Sequence, residues 1–186
     1  HMKLDATQAL RDYYETYVER DVRQIMHVKD LRAFDMFVRM CAGRVGQLLN
    51  LNALASDVGI SHTTAREWLS LLEASSIVYV LKPWHTNIGK RLVKTPKLYF
   101  CDVGLAAHLC GVENESHIRT HPLRGFFFEN MVVLEVLKNR YNRGMSDNLF
   151  FYRDNIGNEV DLVMSVESGP VPVEIKAGQT VASDFF

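Results

Sequence analysis

The chain has 186 residues, 47% of them hydrophobic and 23% charged, which is ordinary globular composition with room for one or two domains. Its formal net charge is -1, so it has no general attraction to nucleic acid, and any such binding must use a local patch. No apolar run reaches the roughly 18 residues of a membrane span. We therefore expect no contact with a membrane. The three cysteines form no C-x-x-C pair, which argues against a disulfide framework and a zinc site and favours a cytoplasmic location.

The first half of the sequence predicts helices followed by a hairpin. Apolar residues recur at helical spacing from Leu4 to Met26 and again in "LRAFDMFVRMCAGRVGQLL". Residues 51–78 predict two short helices, with Gly59 turning the chain and Ser61 capping the second. The strand-like runs "IVYVLKPW" and "KLYFCDVG" are joined by the basic segment "HTNIGKRLVKTP". Three helices and such a hairpin form a winged helix-turn-helix.

The second half predicts a different arrangement. Residues 103–122 favour short helices and a linker ending at Pro122, which places a boundary between a domain at 3–122 and a domain at 123–186. After it come an apolar helix, "LRGFFFENMVVLEVLKNRY", and three strands, "NLFFYRD", "EVDLVMSV" and "PVPVEIKA". The predicted fold class is therefore mixed α/β, with a winged helix first and an α/β domain second.

The winged helix offers a candidate DNA-binding surface. His62, Thr63 and Arg66 point outward on its second short helix, as residues that meet a major groove do. Basic residues of the hairpin, which we call the wing, are candidates for phosphate contacts: Lys90, Arg91, Lys94 and Lys97. The alternative is a protein-docking module with a solvated basic loop, and the few cations on the second helix leave it open.

The last two predicted strands carry a candidate metal site. Alternation along each strand puts the valines and leucines on one face and Asp161, Glu174 and Lys176 together on the other. Adjacent carboxylates favour a bound cation, so Asp161 and Glu174 are predicted ligands of Mg²⁺, and Lys176 is predicted to act on the attacking water or on developing phosphate charge. The alternative is an ordinary amphipathic hairpin with cross-strand ion pairs.

Glu129 is a further candidate because it stands with Asn130 inside an apolar run, "FFFENMVV". A carboxylate is rarely buried unless it is paired or bound to a metal. The alternative is that Glu129 lies in the first turn of its helix, where the helix dipole favours a negative charge.

Several segments in order resemble the C-terminal half of a prokaryotic family of AAA-type ATPases: "YYETYVERDV", "GQLLNLNALASDVGIS", "WLSLLEASSIVYVLKPW", "KLYFCDVGLAAHL", "GFFFENMVVLEVLK" and "NEVDLVM…PVEIKAG". The resemblance implies a winged helix followed by a nuclease-like domain of the PD-(D/E)xK type. Its D-x12-E-x-K pattern falls on Asp161, Glu174 and Lys176, and Glu129 on the preceding helix would assist.

The same resemblance implies which ligands and partners the chain has. It implies Mg²⁺ at the nuclease-like site, duplex DNA as a partner of the winged helix, and the family's own N-terminal ATPase domain as a second partner. ATP would bind only to that ATPase domain, because this sequence has no G-x-x-x-x-G-K-[ST]. Only ten residues follow Lys176, where such nuclease-like domains add a helix and a strand. We therefore expect a fragment with an incomplete second domain, whose exposed edge favours a homo-oligomer.

Overall fold

The protein is described by a computed structural model over residues 6–16, 30–84 and 94–178. These residues form seven helices and five strands. The helices are α1 (Ala6–Tyr13), α2 (Leu31–Ala42), α3 (Leu51–Val58), α4 (His62–Ala74), α5 (Val103–Leu109), α6 (Glu115–Thr120) and α7 (Arg124–Asn142). The strands are β1 (Val78–Pro83), β2 (Lys97–Phe100), β3 (Leu149–Arg153), β4 (Glu159–Val166) and β5 (Gly169–Val173). The mixed α/β class is confirmed. Most of the segment predicted to connect β1 and β2 lies outside the described residues.

The predicted turn between α3 and α4 is confirmed in its local chemistry. Gly59 ends α3 in the left-handed conformation, with φ of 77°, which glycine adopts without steric cost. The Ser61 hydroxyl accepts a 3.0 Å hydrogen bond from the Thr64 N–H and caps α4. Helix α4 buries Ala65 and Leu72 completely, and Trp68 packs edge-on against aromatic residues of α2. These contacts build the first core.

The five strands form one sheet in the order β2-β1-β3-β4-β5. Neighbouring strands are antiparallel except for β1 and β3, which are parallel and pair Lys82 with Phe150 and Pro83 with Phe151. The sheet therefore runs across the predicted domain boundary at 122. That boundary stays a prediction, but the hairpin assigned to the first domain is hydrogen-bonded to the second.

The β1–β2 hairpin is buried on both faces. Leu98 and Phe100 pack into the first core, whereas Tyr99 and Leu81 belong to a second core. Because successive side chains of a strand point to opposite faces, β2 is a shared wall between two cores. Its fully buried pattern is typical of a strand covered on both sides.

The second core lies between α7 and the sheet. Helix α7 contributes Val133, Leu134 and Leu137, which share this cluster with Phe151 of β3 and Leu162 of β4. The β4–β5 hairpin has the predicted register, with Leu162 opposite Val173 and a two-residue turn between Val166 and Gly169. Within the part of the chain that the structure describes, none of the helices is long and apolar enough to cross a bilayer.

Candidate functional site

A cleft of about 730 Å³ opens where α7, β2, β4 and the segment after β5 meet. Its wall on one side is formed by residues 46–48, and its polar lining contains seven charged side chains: Lys97, Glu129, Arg153, Glu159, Asp161, Glu174 and Lys176. The four residues singled out for nuclease chemistry all lie in this cleft. Three separate segments of the chain supply them.

Asp161 is held at the end of the β4–β5 ladder. The last strand pair is Leu162 with Val173, so the same register places Asp161 next to Glu174. In place of a further ladder bond, the Ile175 N–H donates a 2.8 Å hydrogen bond to Asp161 Oδ2. Burial raises the pKa of Asp161, while that N–H opposes the rise and the Glu174 charge adds to it. Asp161 thus fixes the chain that carries the other two motif residues.

Glu174 and Lys176 lie just beyond β5, and the Lys176 ammonium donates a hydrogen bond to Glu174 Oε1. This bond, with a smaller contribution from the Asp161 charge, raises the pKa of Lys176. The Lys176 side chain is 56% exposed, so its ammonium stands at the open side of the cleft. As predicted, Asp161, Glu174 and Lys176 lie on the same side of the hairpin and line the cleft. Glu174 and Lys176 are not part of a strand, because β5 ends at Val173.

Glu129 comes to the cleft from the second turn of α7, which begins at Arg124. The first-turn alternative is therefore wrong. Its side chain is buried, and its Oε1 accepts hydrogen bonds from Lys97 Nζ, at 2.9 Å, and from the Tyr99 hydroxyl. Burial raises the pKa of Glu129, and both donors act against that rise. Glu129 satisfies the expectation that a carboxylate in an apolar run is paired.

Lys97 is the residue whose predicted place is wrong. The sequence assigned it to the exposed wing, but its side chain is 3% exposed. Its Nζ lies 2.9 Å from Glu129 Oε1, 2.6 Å from Glu159 Oε1 and 3.9 Å from Asp161 Oδ1. The physical reason is that β2 begins at Lys97 and alternation points this side chain, like Tyr99, toward the cleft. Burial disfavours its charge, but the Glu129 and Glu159 carboxylates outweigh burial and raise the pKa of Lys97.

The remaining DNA-binding candidates divide into described and undescribed residues. Thr63 and Arg66 are exposed on α4, and His62 is half-buried with its Nδ1 3.4 Å from Arg66 Nη2. Lys94 is exposed ahead of β2. Lys90 and Arg91 lie outside the described residues. DNA binding by this surface stays a prediction.

The carboxylates of the cleft fit Mg²⁺ in donor chemistry, though not as a closed cage. Across residues 6–16, 30–84 and 94–178, no three His, Cys, Asp or Glu side chains are close enough to hold a metal. Mg²⁺ usually binds through one or two carboxylates and completes its shell with water or phosphate. Asp161 and Glu174 supply two such carboxylates, whereas Glu129 is engaged by Lys97 and Tyr99. The metal itself stays a prediction.

Sequence reasoning missed three residues of the site, Tyr99, Arg153 and Glu159, and assigned a fourth, Lys97, to the wing. Glu159 carried a usable signal because it stands two residues before Asp161 and hence on the same face of β4. It pairs with Lys97 and, at 3.1 Å, with Arg153. Alternation likewise puts Lys97 and Tyr99 on one face of β2. What the sequence did not indicate is that this face of the hairpin meets α7.

The fold and the cleft define a mixed α/β protein. The hairpin that packs against its helix-turn-helix belongs to the same sheet as the strands that carry the carboxylate-lined cleft. Profiles of two protein families match the chain: a domain of unknown function, DUF8612, at residues 2–116, and another, DUF4143, at residues 124–186. Since the first match covers more than half of the sequence, the chain belongs to the DUF8612 family.

Curated relatives are longer than this chain. It is 31% identical over 174 residues to an uncharacterized protein of Mycobacterium tuberculosis and, equally, to one of Mycobacterium bovis. Each alignment covers 92% of this chain but only 38% of the relative. No solved structure matches the sequence.

Proposed function

We propose that this chain is the C-terminal part of an AAA-type ATPase, that its winged helix binds duplex DNA, and that its cleft cleaves phosphodiester bonds with Mg²⁺. One observation carries the proposal: Glu129, Asp161, Glu174 and Lys176 come from three separate segments and line a single cleft. An ordinary amphipathic hairpin would not require Glu129 of α7 to join them. The greater length of the curated relatives supports a larger protein, and the sequence resemblance to AAA-type ATPases suggests an ATPase domain as the partner.

In this function the residues have distinct roles. Asp161 and Glu174 would hold Mg²⁺, which when bound activates water and polarises a phosphoryl oxygen. Asp161 also positions Glu174 and Lys176 through the Ile175 N–H. Lys176, at the open side, would stabilise negative charge that develops on the phosphate. Glu129 stabilises Lys97 and Tyr99 at the inner wall.

The cleavage proposal is tested with duplex and single-stranded DNA in the presence of Mg²⁺ or Mn²⁺. We expect cleavage by the wild type and a loss of at least about a hundredfold in Asp161→Ala and Lys176→Ala. The matched control is Glu167→Ala, which removes an exposed carboxylate from the turn of the same hairpin and should retain activity. Metal-dependent cleavage that survives in Asp161→Ala, or no cleavage by the wild type on either substrate, contradicts the proposal.

The DNA-binding part has a separate test. Arg66→Ala and Lys94→Ala should each weaken binding to duplex DNA. Each should also reduce the slope of log K against log salt concentration by about one, the amount expected for one lost phosphate contact. Arg32→Ala removes an exposed cation from α2 and serves as the control. Lack of binding by the wild type at low salt would refute this part and leave the cleavage test unaffected.

A second candidate function is a regulatory or docking module without catalysis. The Lys97 ammonium favours it, because Lys97 compensates Glu129 and Glu159 without any metal. Calorimetric titration of Mn²⁺ and Mg²⁺ into the wild type and into Asp161→Ala/Glu174→Ala separates the two functions. Saturable binding that the double variant loses supports catalysis, whereas equal absence of binding supports the module.

A further inference from the structure

The centre of the carboxylate cluster is occupied by a side chain of the protein itself. The Lys97 ammonium lies within 4 Å of oxygens from Glu129, Glu159 and Asp161, which come from α7 and β4. Lysine is almost never buried unless it is paired, and here three carboxylates surround one cation. Lys97 therefore supplies a positive charge that compensates the buried Glu129 and Asp161 and the half-buried Glu159.

The charge balance of the cleft depends on this one residue. With all groups ionised, the lining carries four negative charges, from Glu129, Glu159, Asp161 and Glu174, against three positive charges, from Lys97, Arg153 and Lys176. Arg153 and Lys176 are 39% and 56% exposed, so solvent screens their charges. Lys97 is the only buried cation of this lining, so its charge acts on the carboxylates with little screening.

A divalent cation at Asp161 would meet this charge at short range. Asp161 Oδ1 lies 3.9 Å from Lys97 Nζ, too long for a hydrogen bond but close enough for strong electrostatic interaction. Any metal bound through that oxygen is repelled by the ammonium. The wall beside Lys97 also contains the Phe151 ring, 5.6 Å from Nζ, which favours the cation where it is.

We propose that Lys97 is an internal competitor of the divalent metal: its ammonium compensates the carboxylates of the cleft and thereby sets how tightly the cleft binds Mg²⁺ or Mn²⁺. This inference rests on the proposed metal-dependent function, since it concerns the regulation of the same site. Lys97 does not bind the metal itself; its positive charge repels a cation that is bound through Asp161. Because Lys97 is also the first residue of β2, the metal affinity of the cleft is tied to the placement of the hairpin.

The test is calorimetric titration of Mn²⁺ into the wild type, Lys97→Met, Lys97→Arg and Lys82→Met. Lys97→Met keeps the length of the side chain and removes its charge, so Mn²⁺ should bind about tenfold more tightly or better. Lys97→Arg keeps the charge and should stay close to the wild type. Lys82→Met removes an exposed lysine of β1 that lies outside the cleft lining and should also leave the affinity unchanged.

The outcomes distinguish this inference from the proposed function. Tighter binding in Lys97→Met supports the inference, and it does so even if the wild type binds too weakly to measure. Equal or weaker binding in Lys97→Met, with clear binding by the wild type, overturns the inference and leaves the metal site standing. Absence of binding in both overturns the inference and the metal-dependent function together.

A second measurement covers the case in which Lys97→Met does not fold. In wild-type protein with ¹³C-labelled lysine, Mg²⁺ should shift the Lys97 side-chain resonance, assigned by its loss in Lys97→Arg, and the Lys94 resonance should stay in place. Saturating Mg²⁺ that leaves the Lys97 resonance unchanged contradicts the competition.

Discussion

The helix-turn-helix half and the cleft place their charged residues in opposite surroundings. On α4, Thr63 and Arg66 are exposed, and the Arg39–Asp35 pair on α2 is 48% and 34% exposed. In the cleft, Lys97 is 3% exposed and shared by several carboxylates. Exposed pairs contribute little to stability and can be changed one at a time, whereas the removal of one partner from a buried network leaves the others uncompensated. A single substitution should therefore cost little stability on the exposed surface of α2 and α4 and much more in the cleft.

The largest expected effect is the loss of Lys97. We expect Lys97→Ala to lower the free energy of unfolding by about 3–5 kcal/mol, because Glu129 and Glu159 lose their buried cation. Urea unfolding measures this loss, and exposed Lys94→Ala should stay within about 0.5 kcal/mol of the wild type. A similar loss of unfolding free energy in Lys97→Ala and Lys94→Ala would contradict the claim that buried charges of the cleft matter more for stability than exposed charges.

The next effect concerns the junction of the two regions. The Asn130 side chain of α7 is fully buried and makes two 2.8 Å hydrogen bonds to β2, accepting from the Phe100 N–H and donating to the Phe100 carbonyl. Asn130→Ala should lower stability by about 2–3 kcal/mol, because two backbone groups lose their partner. Exposed Asn139 on the same helix provides the control, Asn139→Ala, which should cost far less. Equal unfolding midpoints for the two variants would show that this junction is weak.

A smaller effect is expected at Gly46, on the wall of the cleft. Its φ is +72°, and an added Cβ would lie 2.8 Å from Phe126 Cδ1. Gly46→Ala should therefore cost about 1–3 kcal/mol. Gly144→Ala isolates the backbone contribution, since Gly144 has φ of +68° with open space around its Cβ position. Thermal unfolding should show a larger loss for Gly46→Ala, and equal losses would mean that Phe126 yields without cost.

The smallest effect is a difference in reactivity between two thiols. Burial raises the pKa of Cys41, in the first core, to about 12 and that of Cys101, beside the second core, to about 11. Cys41 is fully buried, so its reaction with a disulfide reagent requires opening of the structure, whereas Cys101 is half-buried. At pH 8 we therefore expect a single-cysteine variant that retains Cys41 to react more slowly than one that retains Cys101. Equal rates would show that both thiols react only after a shared opening of the structure.

Local patterns in the sequence carried much of this architecture. The Gly59 turn, the Ser61 cap, α7 and the β4–β5 hairpin follow from neighbours in sequence, and their placement is confirmed. The convergence of Asp161, Glu174 and Lys176 followed from alternation across a short turn. The pairing of β1 with β3 joins residues about 70 positions apart and leaves no periodic signal. The sequence likewise assigns Lys97 to the wing, because the contacts that bury it come from distant residues of α7 and β4.

The prolines of β5 have a consequence for assembly. This strand is at one edge of the sheet, and Pro170 and Pro172 remove two N–H donors from it. At the opposite edge, β2 is bonded to residues 46–49 and to Asn130, so its outer backbone groups are also engaged. A strand of a second molecule could therefore form few hydrogen bonds to the β5 edge. At the β2 edge, the outer backbone groups are already hydrogen-bonded within the same molecule. Self-association of this protein should therefore proceed through side-chain surfaces rather than through a continuous intermolecular sheet.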